Sequence, residues 1–149
     1  MKTRIHAVSG ALALLTILTF WTSTVASELF GSPQQIAAVK MAVVYGLAVL
    51  IPAMAAAGGS GFSLGARWKS PVIACKKTRM KAIAATGILV LVPSAIFLAM
   101  KAGEGEFDTA FMVVQGIELI AGASNIVLLG LNMRDGLAMR RRKRKPRLA

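Results

Sequence analysis

Four stretches of the chain, residues 5–25, 36–57, 83–100 and 110–131, are long, apolar and almost free of charge. A helix needs about 20 mostly apolar residues to cross about 30 Å of hydrocarbon. In lipid every backbone N–H and C=O must find its partner inside the protein, so spans of this kind are helices. A membrane barrel would instead show strands of about ten residues with alternating polarity, and no such alternation occurs. Only 16% of the 149 residues are charged while 56% are hydrophobic, against roughly a quarter charged in a soluble domain. The expectation is an all-α membrane protein: a four-helix transmembrane bundle over residues 1–139, followed by a basic tail over 140–149.

The connections orient this bundle. Two short turns, residues 28–35 and 101–108, hold Glu28, Glu104, Glu106 and Asp108 with one lysine, Lys101. Sixteen of the eighteen Lys and Arg residues fall on the other side. They are Lys2 and Arg4, six residues from Arg67 to Lys81, and eight from Arg134 to Arg147. The positive-inside rule then predicts both termini in the cytoplasm, N-in and C-in. The net charge of +12 therefore marks orientation. A nucleic-acid reading would need a basic face on a soluble fold, so no nucleic-acid partner is expected. Arg140, Arg141, Arg142, Lys143, Arg144 and Lys145, just beyond the last span, read as a contact for anionic lipid headgroups.

The first span has a competing reading. Lys2 and Arg4, an apolar run and Thr24-Val25-Ala26-Ser27 have the form of a secretory signal peptide. The length of the run, with Phe20 and Trp21 placed like an interfacial anchor, favours a retained span; cleavage would leave three. Pro52 and Pro93 fall inside spans two and three, where they are expected to kink rather than end the helices. Gly58-Gly59-Ser60-Gly61 lacks the Lys-Ser/Thr ending of a phosphate-binding loop. It reads as a flexible exit from span two, opening a long basic connection to Lys81.

Ionisable groups at membrane depth are costly and mark function or structure by default. Two occur: Lys40 in span two and Glu118 in span four. Counted from their outer ends, they lie at depths a lysine side chain can bridge, so an ion pair forms if the two helices are neighbours. Gln115, Glu118, Gly122, Asn125 and Asn132 share one face of span four. Span one carries a matching stripe: Ser9, Ala13, Thr16, Phe20, Ser23 and Ser27. Such small and polar faces let membrane helices pack closely and hydrogen-bond. The structural reading is that Lys40, Gln115, Glu118 and Asn125 lock the bundle; the working reading is a proton or ion pathway through Lys40 and Glu118.

His6, the single histidine, lies at the inner mouth of span one at a depth similar to Met54. Such a pair can hold a b-type haem; the alternative is an interfacial histidine beside lipid headgroups. One cysteine, Cys75, excludes an intrachain disulfide and a cysteine-based metal cage. No catalytic triad, paired carboxylates or metal cluster is apparent, so an enzyme acting alone is not expected.

Arg79-Met80-Lys81, the run GILVLVPSAIFLA after it, and VVQGIELIAGASNIVLLGLNMRDG in span four resemble small four-helix inner-membrane proteins of proteobacteria. The likeness covers about the last half of the chain, with the Phe20-Trp21 and Lys40 to Gly46 regions. It implies the same topology and a bacterial inner (plasma) membrane location, and it brings no activity. The functional expectation is a non-catalytic accessory or assembly component of a larger membrane complex, bound to other membrane subunits or to itself. The alternatives are a haem electron carrier and an ion pathway.

Overall fold

A computed structural model describes residues 2–65 and 71–144, and the regular structure among them is all helical. Helix α1 covers Lys2–Phe30, α2 Pro33–Gly65, α3 Pro71–Thr86, α4 Val92–Gly103 and α5 Thr109–Arg144. A π-helical turn, Gly87–Leu91, joins α3 and α4 into one rod. The molecule therefore has four rods, each long and apolar enough to cross a membrane. By helix length and composition this is the make-up of a multi-pass membrane protein.

The rods form a ring. α1 packs on α2 and α5, and the α3–α4 rod packs on α2 and α5. Among the described residues α2 and α5 make no close backbone approach, so they face each other across the diagonal. One end of the ring carries the α1–α2 turn and the α4–α5 loop; the other carries the chain termini.

Each connection at the loop-bearing end is written in cap chemistry. Ser32 and Gln35 form a capping box: Gln35 N–H donates to Ser32 Oγ at 3.3 Å, and Ser32 N–H donates to Gln35 Oε1 at 2.8 Å. Pro33 takes the first helical position, where a missing N–H costs nothing. α4 ends in a Schellman motif, with Glu106 N–H donating to Lys101 O and Gly105 N–H to Ala102 O. That motif needs a left-handed residue, supplied by Gly105 at φ 75°. Asp108 Oδ1 then accepts from Phe111 N–H at 2.9 Å and caps α5.

Lys101 closes this loop through Asp108, at 2.8 Å, and Glu106. The Lys101 ammonium and the Phe111 N–H hold the Asp108 carboxyl below the usual carboxylate range. A depressed carboxyl stabilises the fold above its unfolded pKa, and that contribution is lost as pH falls through the folded value. Asp108→Asn is therefore expected to flatten the acid side of the thermal-stability profile; an unchanged acid limb would refute the cap.

The helices outrun the apolar spans. At about 1.5 Å per residue, a helix of this kind reaches 40–55 Å and protrudes from the hydrocarbon. The expected loop from Gly58 to Lys81 is mostly helix: α2 continues to Gly65 and α3 starts at Pro71. Gly58 to Gly61 are thus not a flexible exit. Lysine and arginine are good helix formers, so hydropathy marks where lipid ends and not where the helix does. α5 likewise runs to Arg144, carrying the start of the basic tail in helical form. Arg67, Lys69, Lys145 and Arg147 lie outside the described residues.

Neither proline ends its rod. Pro52 sits inside α2. Pro93 follows the π turn, in which Val92 N–H donates to Gly87 O, one residue further back than in an α-helix. Proline cannot donate and crowds the preceding turn; a widened turn is a common accommodation.

Three apolar layers fill the axis. Leu98, Ala102 and Phe111 lie nearest the loops, Val43, Leu47 and Ala95 come next, and Ile17, Ile83 and Leu129 lie towards the termini. Large side chains such as Val8, Leu15, Tyr45, Ile88, Leu89 and Ile120 face outward. In water such a surface would be an association hazard; in a bilayer it is the solvent-facing side.

Candidate functional site

Between the first and second apolar layers lies the most strongly polar point of the interior. Lys40, 1% exposed, places its Nζ 2.8 Å from Glu118 Oε2, and the glutamate is 12% exposed. α2 and α5 are diagonal partners rather than neighbours, so the condition expected from the sequence does not hold. The pair forms because the long lysine side chain crosses the centre of the ring.

Glu28 belongs to α1 and not to a polar turn, one helical turn beyond the buried Thr24 that lines a cavity with Glu118. Helix direction sets the depths of these side chains. Side chains tilt towards their helix N-terminus, so Glu28 leans into the bundle while Lys40 and Glu118 lean towards the loops. Gln115, 5% exposed, lies one turn from Glu118 on the same face of α5. Among the described residues neither of its amide atoms has a hydrogen-bond partner, nor does the buried Glu28 Oε1.

The rest of the predicted stripe also turns inward. Asn125 is buried and donates to Ile83 O at a long 3.4 Å, and Asn132 is buried further along. On α1, Ala13 and Ser27 of the predicted stripe are buried, as is Thr24 beside it, whereas the Thr16 hydroxyl makes an exposed hydrogen bond to its own helix. Phe20 and Trp21 are not an interfacial anchor. Phe20 covers Gly46 of α2, and Trp21 covers Gly122 of α5 while donating from Nε1 to Leu119 O at 3.0 Å. The two rings wedge α1 into the notches of both its neighbours.

A cavity of about 50 Å³ lies beside this wedge, walled by Phe20, Trp21, Val43, Leu47 and Leu119, with Glu118 as its charged member. Towards the termini the axis closes. Ile17, Ile83 and Leu129, with Leu50 and Met54, make an apolar layer to which all four rods contribute.

His6 and Met54 have separate surroundings. His6 Nδ1 donates to Ala57 O at 3.0 Å and lies 3.3 Å from the Ser60 hydroxyl. Its ring is so close to α2 that a Cβ on Gly61 would stand 3.0 Å from Cε1. Met54 packs into the Ile17–Ile83–Leu129 layer. With the histidine seated on the helix that carries the methionine, the arrangement does not fit a haem between them. The close approach accounts for Gly61, which lets α1 dock on α2.

At the same end Arg79 pairs with Asp135 at 2.7 Å, and Lys76 Nζ lies over α5 at Gly136. Among the described residues no group of three or more His, Cys, Asp or Glu side chains is placed to hold a metal ion. Comparison with protein-family models, with curated proteins and with solved structures gives no match.

Proposed function

We propose that the chain is a bacterial inner-membrane protein with both termini in the cytoplasm, serving as a non-catalytic accessory or assembly component of a larger membrane complex. The observation that carries this reading is the division of the molecule into an interior whose buried charged pair closes on itself and an outward apolar surface. Lys40 and Glu118 satisfy each other at 2.8 Å, and the described connections are too short to hold a soluble domain: residues 31–32 and 104–108. What faces outward suits lipid and other helices.

Orientation rests on the charge asymmetry, and the bacterial location on the resemblance in the second half of the chain. Arg140 to Lys145 supply the anionic-lipid contact at the cytoplasmic face. Cys75 is free and exposed and gives a direct topological test. A membrane-impermeant maleimide is expected to label it in inside-out vesicles and not in sealed spheroplasts. Glu104→Cys in a Cys75→Ser background should show the reverse, and the opposite pattern would overturn the orientation. The complex is tested by gentle detergent extraction with crosslinking and native mass analysis. Stoichiometric membrane partners or self-association are expected; a lone monomer throughout would sink the reading.

A second reading, an ion pathway through Lys40 and Glu118, is favoured by the cavity at Glu118. The apolar layer beneath it weighs against continuous passage. Normal flux in proteoliposomes carrying Glu118→Gln would remove it.

A further inference from the structure

A cavity of about 50 Å³ stays open beside the Phe20–Trp21 wedge, where all four rods meet. Its walls are held apart. Phe20 is stopped against Gly46, and the Trp21 indole is tied to Leu119 O at 3.0 Å. The α3–α4 rod contributes Leu91, the last residue of its π turn, and the small side chain of Ala95. Voids larger than a water molecule are few in packed interiors, and π turns recur at functional sites. We propose that this cavity is a binding site for a small neutral amphiphile, a short-chain alcohol. The inference holds whether or not the chain is a subunit of a larger complex.

The lining is apolar except at Thr24 and Glu118, and both have hydrogen-bonding capacity to spare. A threonine inside a helix usually satisfies its hydroxyl on the carbonyl one turn back. Thr16, Thr19 and Thr22 do so, donating to Leu12 O, Leu15 O and Leu18 O. Thr24, 4% exposed, makes no such bond, and its hydroxyl has no partner among the described residues. Glu118 gives Oε2 to Lys40 Nζ at 2.8 Å, and its other carboxylate oxygen is unpartnered among the same residues. The cavity therefore offers a hydroxyl that can donate and a carboxylate oxygen that accepts. An alcohol hydroxyl answers both, because it accepts from the one and donates to the other.

Charge and size narrow the occupant. Lys40 already compensates Glu118, so a cationic guest would add an unpaired charge to the interior and an anionic one would meet the carboxylate. Either is costly away from water, and the guest is neutral. A water-sized sphere takes up about 10–15 Å³ of such space, so 50 Å³ holds about three or four non-hydrogen atoms. Benzene, by contrast, occupies an apolar cavity of about 150 Å³. Water fits the polar end alone. A buried water needs at least about two polar partners, and Ile17, Val43, Leu47 and Leu50 give it none along the remaining wall. An alkyl chain fills that wall while its hydroxyl serves Thr24 and Glu118. The site selects a hydroxyl on a short apolar body.

The test is fluorine NMR of the full-length protein in lipid nanodiscs, with empty nanodiscs as the reference for partition into lipid. The probes are 2-fluoroethanol, 1-fluoropropane and 2-fluoroethylammonium, matched in size and differing in the terminal group. Saturable binding of 2-fluoroethanol, stoichiometric with the chain, is expected, and none of the ammonium. Ala95→Leu should fill the cavity and abolish alcohol binding with helical circular dichroism unchanged. Thr24→Val keeps the shape of the wall and removes one hydrogen bond. It should raise the half-saturating alcohol concentration about five- to tenfold and leave uptake of 1-fluoropropane unaltered. That comparison decides the matter even if Ala95→Leu fails to fold. Alcohol uptake no greater than in empty nanodiscs would overturn the proposal, leaving the cavity to water. An equal effect of Thr24→Val on alcohol and fluoropropane, or none on either, would reduce the site to an apolar void. Saturable binding of the ammonium would make it a cation site and would overturn the proposal as well.

Discussion

Lys40→Met is expected to destabilise the bundle by about 3–5 kcal/mol, the usual cost of removing one partner from a buried ion pair. The methionine nearly matches the lysine in length and keeps the packing, so the loss comes from charge. Glu118, 12% exposed, would keep its carboxylate in the ring centre without the ammonium that compensates it. Removing both ends should behave differently: replacing a buried pair by apolar groups of similar volume is often neutral or stabilising. Lys40→Met with Glu118→Leu is therefore expected to recover most of the loss. Unfolding in mixed micelles with increasing denaturing detergent measures all three proteins. A single variant as stable as the wild type would show that the pair does not hold the diagonal, and a double variant no better than the single would place the cost in packing.

The diagonal explains which parts of this site can be read from sequence. Lys40 and Glu118 stand out because ionisable residues are rare in apolar spans, and depth counted along two parallel helices predicts their meeting. That counting requires no knowledge of which helices touch, so the pair was legible although its supposed adjacency was wrong. Glu28 was not legible. It lies among Ser27, Gly31, Ser32 and two glutamines, a composition that reads as a turn. The turn is two residues long because the Ser32–Gln35 box closes α2 immediately. Capping chemistry, rather than hydropathy, sets where these helices stop, and a Ser-Pro-Gln-Gln stretch was the available signal for it.

The glycines tell the same story in packing. Gly58 to Gly61 suggest flexibility when read along the chain, yet they are helical, and Gly61 is where His6 packs on α2. Phe20 and Trp21 resemble an aromatic belt because a sequence shows neither the notch at Gly46 nor the one at Gly122. The apolar spans themselves are legible because lipid imposes one rule on every residue. Notches depend on a pairing of distant residues that no single span contains.

Those notches carry the second large effect. A Cβ on Gly46 would collide with the Phe20 ring, whereas on Gly122 it would stand 3.1 Å from Trp21 Cδ1. A phenyl ring cannot bend aside as a methionine or lysine tip can, so Gly46→Ala must push α1 off α2 along the most extensive helix contact in the molecule. Overpacking of this kind costs about 1–3 kcal/mol. Gly122→Ala needs only a shift of a few tenths of an ångström and should cost less, chiefly by straining the Trp21 bond to Leu119 O. Gly116 and Gly59 have open space around them, and alanine there should be neutral or slightly favourable through its helix propensity. The expected order of stability is Gly116→Ala and Gly59→Ala above Gly122→Ala, with Gly46→Ala lowest. Trimming the obstructing ring supplies the decisive control, since Phe20→Leu combined with Gly46→Ala should be more stable than the sum of the two single effects. Simple additivity would mean that Phe20 and Gly46 do not meet, and would remove the wedge that seats α1 between its neighbours.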